Sequence, residues 1–444
     1  MASEALLTDF TLIEPRWVVP VDPAGSVLPA HAVVLRGDRI AAVLPVAEAR
    51  GRYASARRVE LPTHALVPGL INLHTHAAMA LMRGIADDLP LKAWLTEHIW
   101  PAEARYVSPE FVEAGTLVAA AEMLRGGTTC FHDMYFFPEA AARAAARAGI
   151  RAVLGLVVLE FPTAHARNAD EYFDRGRAAG AALAAFPLVR CAVAPHAPYT
   201  VSDASFVRSV ALADELDLPL HVHVHETEDE VAEGLAQHGR RPLDRLDMLG
   251  VVTDRLIAAH GVHLTPAERD LLAARGAAVA HCPAANLKLA SGFAPVADLL
   301  ARGVTVGIGT DGAASNNRLD LWSEVRLAAL VAKAVAGRAE AVPAHQALGM
   351  ITRDAARALR WDAHLGSITP GKQADLVAVD LGAPELQPCF DPVSHLIYAA
   401  GREHVSHVWV AGRPVVVDRV LQTVDVAEVN AAAHEWGGRI GRGA

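Results

Sequence analysis

The stretch LVPGLINLHTH, Leu66 to His76, ends an apolar run with two histidines spaced two residues apart. Two residues is one full period of a β-strand, so His74 and His76 leave the backbone on the same side. The stretch reads as a buried strand with polar chemistry at its C-terminal end, and runs of the same character recur along the chain. The strand candidates are 66–74, 128–134, 150–158, 188–196, 218–225, 256–261, 277–283 and 304–312. Between them lie segments of helical periodicity, such as PEFVEAGTLVAAAEMLRGG at 109–127 and DEYFDRGRAAGAALAAF at 170–186. Alternating β and α segments imply a parallel sheet, and eight such units predict an α/β fold of the (β/α)8 TIM-type barrel class. No G-x-G-x-x-G follows the first strand, which counts against a doubly wound open sheet.

The two ends of the chain have a different texture. Residues 4–60 and 363–420 carry short alternating runs such as HAVVLRGDRIAAVLP, broken by Gly, Asp and Pro turns. They predict a small β-sandwich-like domain built from both termini. The expected organisation is therefore 1–62 for the N-terminal part of that domain, 63–362 for the barrel, and 363–444 for its C-terminal part and tail.

Bulk properties narrow the function. The chain has 444 residues, 52% of them hydrophobic and 20% charged, with a net charge of −10. An acidic surface argues against a nucleic-acid partner, and no apolar run reaches the roughly 18 residues of a membrane span. The N-terminus, MASEALLTDFTLIEP, has no basic segment ahead of an apolar one, so no secretory signal is expected. The four cysteines, Cys130, Cys191, Cys282 and Cys389, are far apart and form no C-x-x-C, which suits reduced thiols in the cytoplasm.

The C-terminal ends of barrel strands build the mouth of the barrel, where active sites sit. The first predicted strand ends in His74 and His76, the fourth in His196, and the fifth in HVHVHETED, with His221, His223, His225 and Glu226. The sixth ends in His260 and the eighth in Asp311. Each has a plain structural reading: a lone His196 or His260 is a core histidine, and Asp311 before Gly312 is an ordinary turn. Alternation places the three imidazoles of HVHVH on one face, where at least one must pack. Taken together, imidazoles and a carboxylate converging on one rim are the donor set of zinc or a similar divalent ion.

The motifs PGLINLHTH, HVHVHETEDE, AAHGVHL, HCPAANLKL and GTDGAASNN, in that order, resemble the amidohydrolase superfamily. Within it they are most similar to the 5-methylthioadenosine/S-adenosylhomocysteine deaminase family. The resemblance extends to GSITPGKQADLVAVD at 366–380, near the return to the terminal domain. It implies His74, His76, His223 and Asp311 as metal ligands, with His223 chosen because the family's ligand stands three residues before an acid, here Glu226. His221 and His225 then revert to structural roles.

Two-metal relatives bridge their ions with a lysine near the end of the fourth strand. The only lysines here are Lys92, Lys288, Lys333 and Lys372, none of them on strands two to six. Glu160 is the nearest alternative bridge, so one divalent ion, Zn2+, is expected. The implied reaction is hydrolytic deamination of the adenine ring of 5-methylthioadenosine, S-adenosylhomocysteine and adenosine, by water activated at the metal. Glu226 moves protons, His260 orients the water and Asp311 takes its proton. For the substrate, the resemblance implies Glu103 at the ribose hydroxyls, His196 at the base or ribose, and Arg167 at the homocysteine carboxylate. A related deaminase or chlorohydrolase of guanine, a pterin or an s-triazine is the alternative, and a non-catalytic scaffold is disfavoured because every ligand position is filled. The expected partners are a nucleoside-type small molecule and further copies of the chain in a homo-oligomer, with no nucleic acid and no membrane.

Overall fold

In the computed structural model, eight parallel strands follow one another in chain order around a single sheet. They are β1 (Leu70–Thr75), β2 (Thr128–Asp133), β3 (Arg151–Val158) and β4 (Val189–Pro195). The series continues with β5 (Leu220–Val224), β6 (Leu256–His260), β7 (Ala278–His281) and β8 (Thr305–Ile308). The structure describes residues 10–441; the first nine, on which part of the N-terminal reading rests, and the last three lie outside the described residues.

The eighth strand meets the first through side chains as well as backbone. Asn72 donates to Thr310 Oγ1 at 2.7 Å and accepts from Thr310 N at 3.0 Å, while Asp311 N donates to His74 O at 3.0 Å. The two chains run so close there that a Cβ on Gly309 would lie 2.7 Å from His74 Cβ. Only glycine fits that seam. This is the α/β barrel that the strand periodicity predicts.

The terminal strands form one nine-stranded mixed sheet. Strand Arg57–Pro68 pairs parallel with Phe10–Val18 and antiparallel with Leu376–Asp380, which joins the two ends of the chain. That strand carries the sheet on to Pro68, beyond the expected junction at 62. The run predicted as one strand over 66–74 is divided at Gly69, whose Cβ would collide with Thr129 Oγ1 at 2.1 Å, and whose N–H donates to Asp375 O. Proline cannot continue a ladder, and glycine permits the close approach, so the chain changes sheets there.

A buried ion pair locks the two parts together. Arg151 on β3 donates to both carboxylate oxygens of Asp375, at 2.7 and 3.0 Å, with both side chains almost fully excluded from water. Asp375→Ala leaves a buried guanidinium uncompensated and should destabilise the fold by about 3–5 kcal/mol. Urea unfolding checks this, and a midpoint equal to that of wild type would mean that the pair does not couple the two sheets.

Helix Pro109–Arg125 covers β1 and β2. Ser108 caps it by accepting from Phe111 N at 3.2 Å, and Pro109 occupies the first turn, where no N–H is needed. The C-terminal helix Val426–Gly441 packs on it, with Phe111 and Trp436 edge to face at 5.2 Å. No described helix is long and apolar enough to cross a membrane.

Candidate active site

Four histidines and a carboxylate converge at the C-terminal mouth of the barrel. His74 and His76 leave the end of β1, His223 comes from β5, His260 ends β6, and Asp311 follows β8. Ligand atoms of His74, His76 and Asp311 lie within 4.8 Å of one another, and those of His74, His223 and His260 do too. His74 belongs to both groups and stands at their centre.

The imidazoles are oriented from behind. His76 donates from Nδ1 to Met134 O at 2.6 Å, and His223 donates from Nδ1 to His196 O at 2.8 Å. Each ring therefore turns an Nε2 lone pair inward. His74 Nδ1 is held by His221 Nε2 at 2.9 Å, which leaves His74 Nε2 buried, 3.4 Å from Asp311 Oδ1, with no hydrogen bond. His76 Nε2 stands 3.2 Å from the same oxygen. Lone pairs and a carboxylate facing one another repel unless a cation sits among them, so this donor set fits a divalent metal ion.

The charge states follow from the same geometry. Burial opposes protonation of His76, yet the hydrogen bond and charge of Asp311 override it and raise the ring to about 9, so that a proton on Nε2 and a metal ion compete for the same place beside the carboxylate. Burial acts against the charge on Asp311 too, but His74 and His76 keep it well below the usual carboxylate range. Asp311 also accepts from Ser315 Oγ at 2.6 Å and Gly312 N at 2.8 Å, which fixes its plane.

Glu226 projects beside the cluster, with Oε2 3.7 Å from His260 Nε2. Burial pushes its carboxyl above the ordinary value, the direction that favours a proton donor. His260 Nδ1 is bonded to Asn286 Oδ1 at 2.8 Å. Three residues at these strand ends have left-handed backbones: His225 at φ 55°, His260 at φ 72° and Asp311 at φ 59°. Such conformations are costly outside glycine and concentrate where function demands a particular aim.

The alternation of HVHVH holds for His221 and His223 and ends at His225. There the left-handed backbone turns the ring away, so that Nδ1 lies 3.1 Å from His263 O and Nε2 accepts from Leu243 N. His221 lies beneath the cluster, stacked on His132 at 3.8 Å, and burial keeps both rings neutral. Its contact with His74 makes it an orienting group, a role that strand periodicity could not separate from packing. Glu230 was also invisible as more than a helix-start charge. Its carboxylate accepts from His225 N and Glu226 N, both at 2.8 Å, and so holds the turn that aims Glu226. The T-x-x-E spacing of Thr227 and Glu230 is its sequence signal, because a capping-box acid folds back on the chain before its helix.

A cavity of about 290 Å3 opens in front of the cluster, a size suited to a small molecule. Glu103 and His196 both line it. Tyr135 Oη donates to Glu103 at 2.7 Å, but burial dominates and pushes the Glu103 carboxyl up to about 7. His196 is held by Thr200 Oγ1 at 2.9 Å. Arg167 is not brought into the cavity: its side chain is 85% exposed and donates to Glu171 at 2.8 Å. Asn168 caps the helix that begins at Ala169 and Glu171 lies in its first turn, so the guanidinium is held at the outer surface. Glu160 points away as well, accepting from Ser202 N at 3.0 Å, and offers no bridge to a second ion.

The Amidohydrolase family model matches residues 65–415. A 5-methylthioadenosine/S-adenosylhomocysteine deaminase from Teredinibacter turnerae is 45% identical over 436 residues, covering 98% of each chain. Among solved structures, an adenosine deaminase from Xanthomonas campestris with bound zinc superposes with a TM-score of 0.95 at 53% identity, over 97% of this chain and 98% of that one. An atrazine chlorohydrolase from Arthrobacter aurescens TC1, complexed with zinc, gives 0.87 at 25% identity over 96% and 100%.

Proposed function

The chain belongs to the amidohydrolase family, and from that premise we propose that it hydrolytically deaminates the adenine ring of 5-methylthioadenosine and S-adenosylhomocysteine. The products are ammonia and the inosine-type nucleoside. One observation carries the reading beyond the likeness to relatives: a buried Glu226, its carboxyl raised above the ordinary value by burial, stands beside the His–Asp cluster, on a cavity whose wall presents Glu103.

His74, His76, His223 and Asp311 hold one zinc ion in this reading. When bound, such an ion lowers the pKa of its water towards about 7 and supplies a nucleophile at neutral pH. Every other step belongs to the chain. Glu226 delivers a proton to the ring nitrogen beside the attacked carbon, which makes that carbon electron-poor. Asp311 takes the proton of the attacking water, and His260, anchored by Asn286, keeps the new oxygen in line. Glu226, now a carboxylate, takes the hydroxyl proton of the adduct as the carbonyl forms and passes it to the departing amine, and ammonia leaves. The same division between a metal-activated water and a non-ligand glutamate serves nucleobase deaminases of unrelated fold.

Glu103 accepts hydrogen bonds from the ribose hydroxyls, and His196 contacts the base or ribose. Because the Glu103 carboxyl lies at about 7, its accepting form grows as pH rises through neutrality. KM for the nucleoside should therefore fall between pH 6 and 8. Glu103→Gln should raise KM about tenfold and flatten that dependence, the cost of one or two lost charge-assisted bonds. Unchanged KM in the variant would detach Glu103 from the ribose.

The decisive experiment follows adenine absorbance and ammonia release with 5-methylthioadenosine, S-adenosylhomocysteine and adenosine, with guanine and atrazine as comparators. Turnover confined to the adenine nucleosides is expected; turnover of guanine or atrazine alone would replace this reading with the other. The reading places the protein in the cytoplasm, a compartment that suits its four free thiols, two of them buried, and takes it as a homo-oligomer.

A further inference from the structure

The deaminase reading leaves the 5′ tail of the nucleoside undecided, and the chemistry of the cavity bears on it. Beyond Glu103 the wall is apolar, with Trp94, Leu95, Trp100, Phe136, Leu159 and Phe161. Among the described residues lining this cavity there is no lysine or arginine; Glu103, Glu226 and Asp311 bring carboxyl groups, and His76, raised by Asp311, is already paired with it. A second cavity of about 620 Å3 shares Leu91, Leu95, Trp100, Tyr199 and Leu289 with it, and so forms the continuation towards the surface.

That outer cavity is acidic. Glu228, Asp229, Glu230 and Glu233 line it, against a single Lys92. The Lys92 ammonium is already committed to Glu233 at 2.5 Å and is 71% exposed. Arg167, the guanidinium that a homocysteine carboxylate would need, is spent on Glu171 at the surface. Whichever of the two cavities the tail enters, a carboxylate there loses water, meets other carboxylates and finds no unpaired lysine or arginine among the described lining residues. A desolvated anion without a partner is strongly disfavoured. A methylthio tail gains from the same aromatic walls, and an ammonium finds acids at the rim.

We propose that the site selects 5′-thioether adenosines with neutral or cationic tails, 5-methylthioadenosine foremost, and disfavours the carboxylate-bearing homocysteine tail. The inference rests on the deaminase reading. Its test compares kcat/KM for 5-methylthioadenosine, S-adenosylhomocysteine and decarboxylated S-adenosylhomocysteine, which keeps the ammonium and lacks only the carboxylate. 5-Methylthioadenosine should exceed S-adenosylhomocysteine tenfold or more, chiefly through KM, and the decarboxylated analogue should recover most of the gap. Equal values for the first two, or an analogue as poor as S-adenosylhomocysteine, would overturn the inference and leave the deaminase standing. No turnover of any of the three would overturn both.

Discussion

Glu226→Gln is expected to keep its metal and lose about a thousandfold in kcat, within the 10²–10⁴ range of general acid–base catalysis. The amide is nearly isosteric, and Glu230 grips the backbone N–H of Glu226 rather than its side chain, so the turn survives the change. What disappears is the transferable proton. Glu226 Oε2 lies 3.7 Å from His260 and is not among the groups that converge on His74 Nε2. Metal content should therefore match wild type while ammonia release collapses. Loss of metal from a folded variant would show that Glu226 is a ligand and that the roles around β5 are misassigned.

Removing the ion should have a comparable effect with a second signature. Dialysis against a chelator is expected to cut turnover to under about one per cent, since the metal supplies the nucleophile. The same treatment should lower the thermal midpoint, because a ligand bound only by the native state stabilises it by about 4 kcal/mol at a thousand times its Kd. The direction is fixed by the cluster itself: without the cation, the buried His74 Nε2 faces the Asp311 carboxylate with no hydrogen-bond partner. Added Zn2+ should restore both activity and midpoint. Full turnover at negligible metal content would remove the ion from the mechanism.

The barrel was legible because its strands are short apolar runs with polar ends, a pattern that survives without any tertiary information. The break at Pro68–Gly69 was not, since an apolar run cannot say which of two sheets it joins. Convergence of His74, His76, His223, His260 and Asp311 on one rim followed from strand order, because a barrel brings every strand end to the same mouth. The supporting groups were harder to see. Glu230 looked like one of three acids at a helix start, and only the fold shows its carboxylate turned back on His225 and Glu226. Arg167 stood in a plausible place along the chain, but a residue in the loop before a helix can face either way, and Glu171 holds it outward.

Asn72 and Thr310 meet across the seam although 238 residues separate them in the chain. The carboxylate of Asp311 arrives with that seam, long after the imidazoles of β1 and β5 have been made. A chain that ends before residue 311 carries the imidazoles and lacks this carboxylate. In the proposed ligand set, the contact that shuts the cylinder also brings the one carboxylate to its imidazoles.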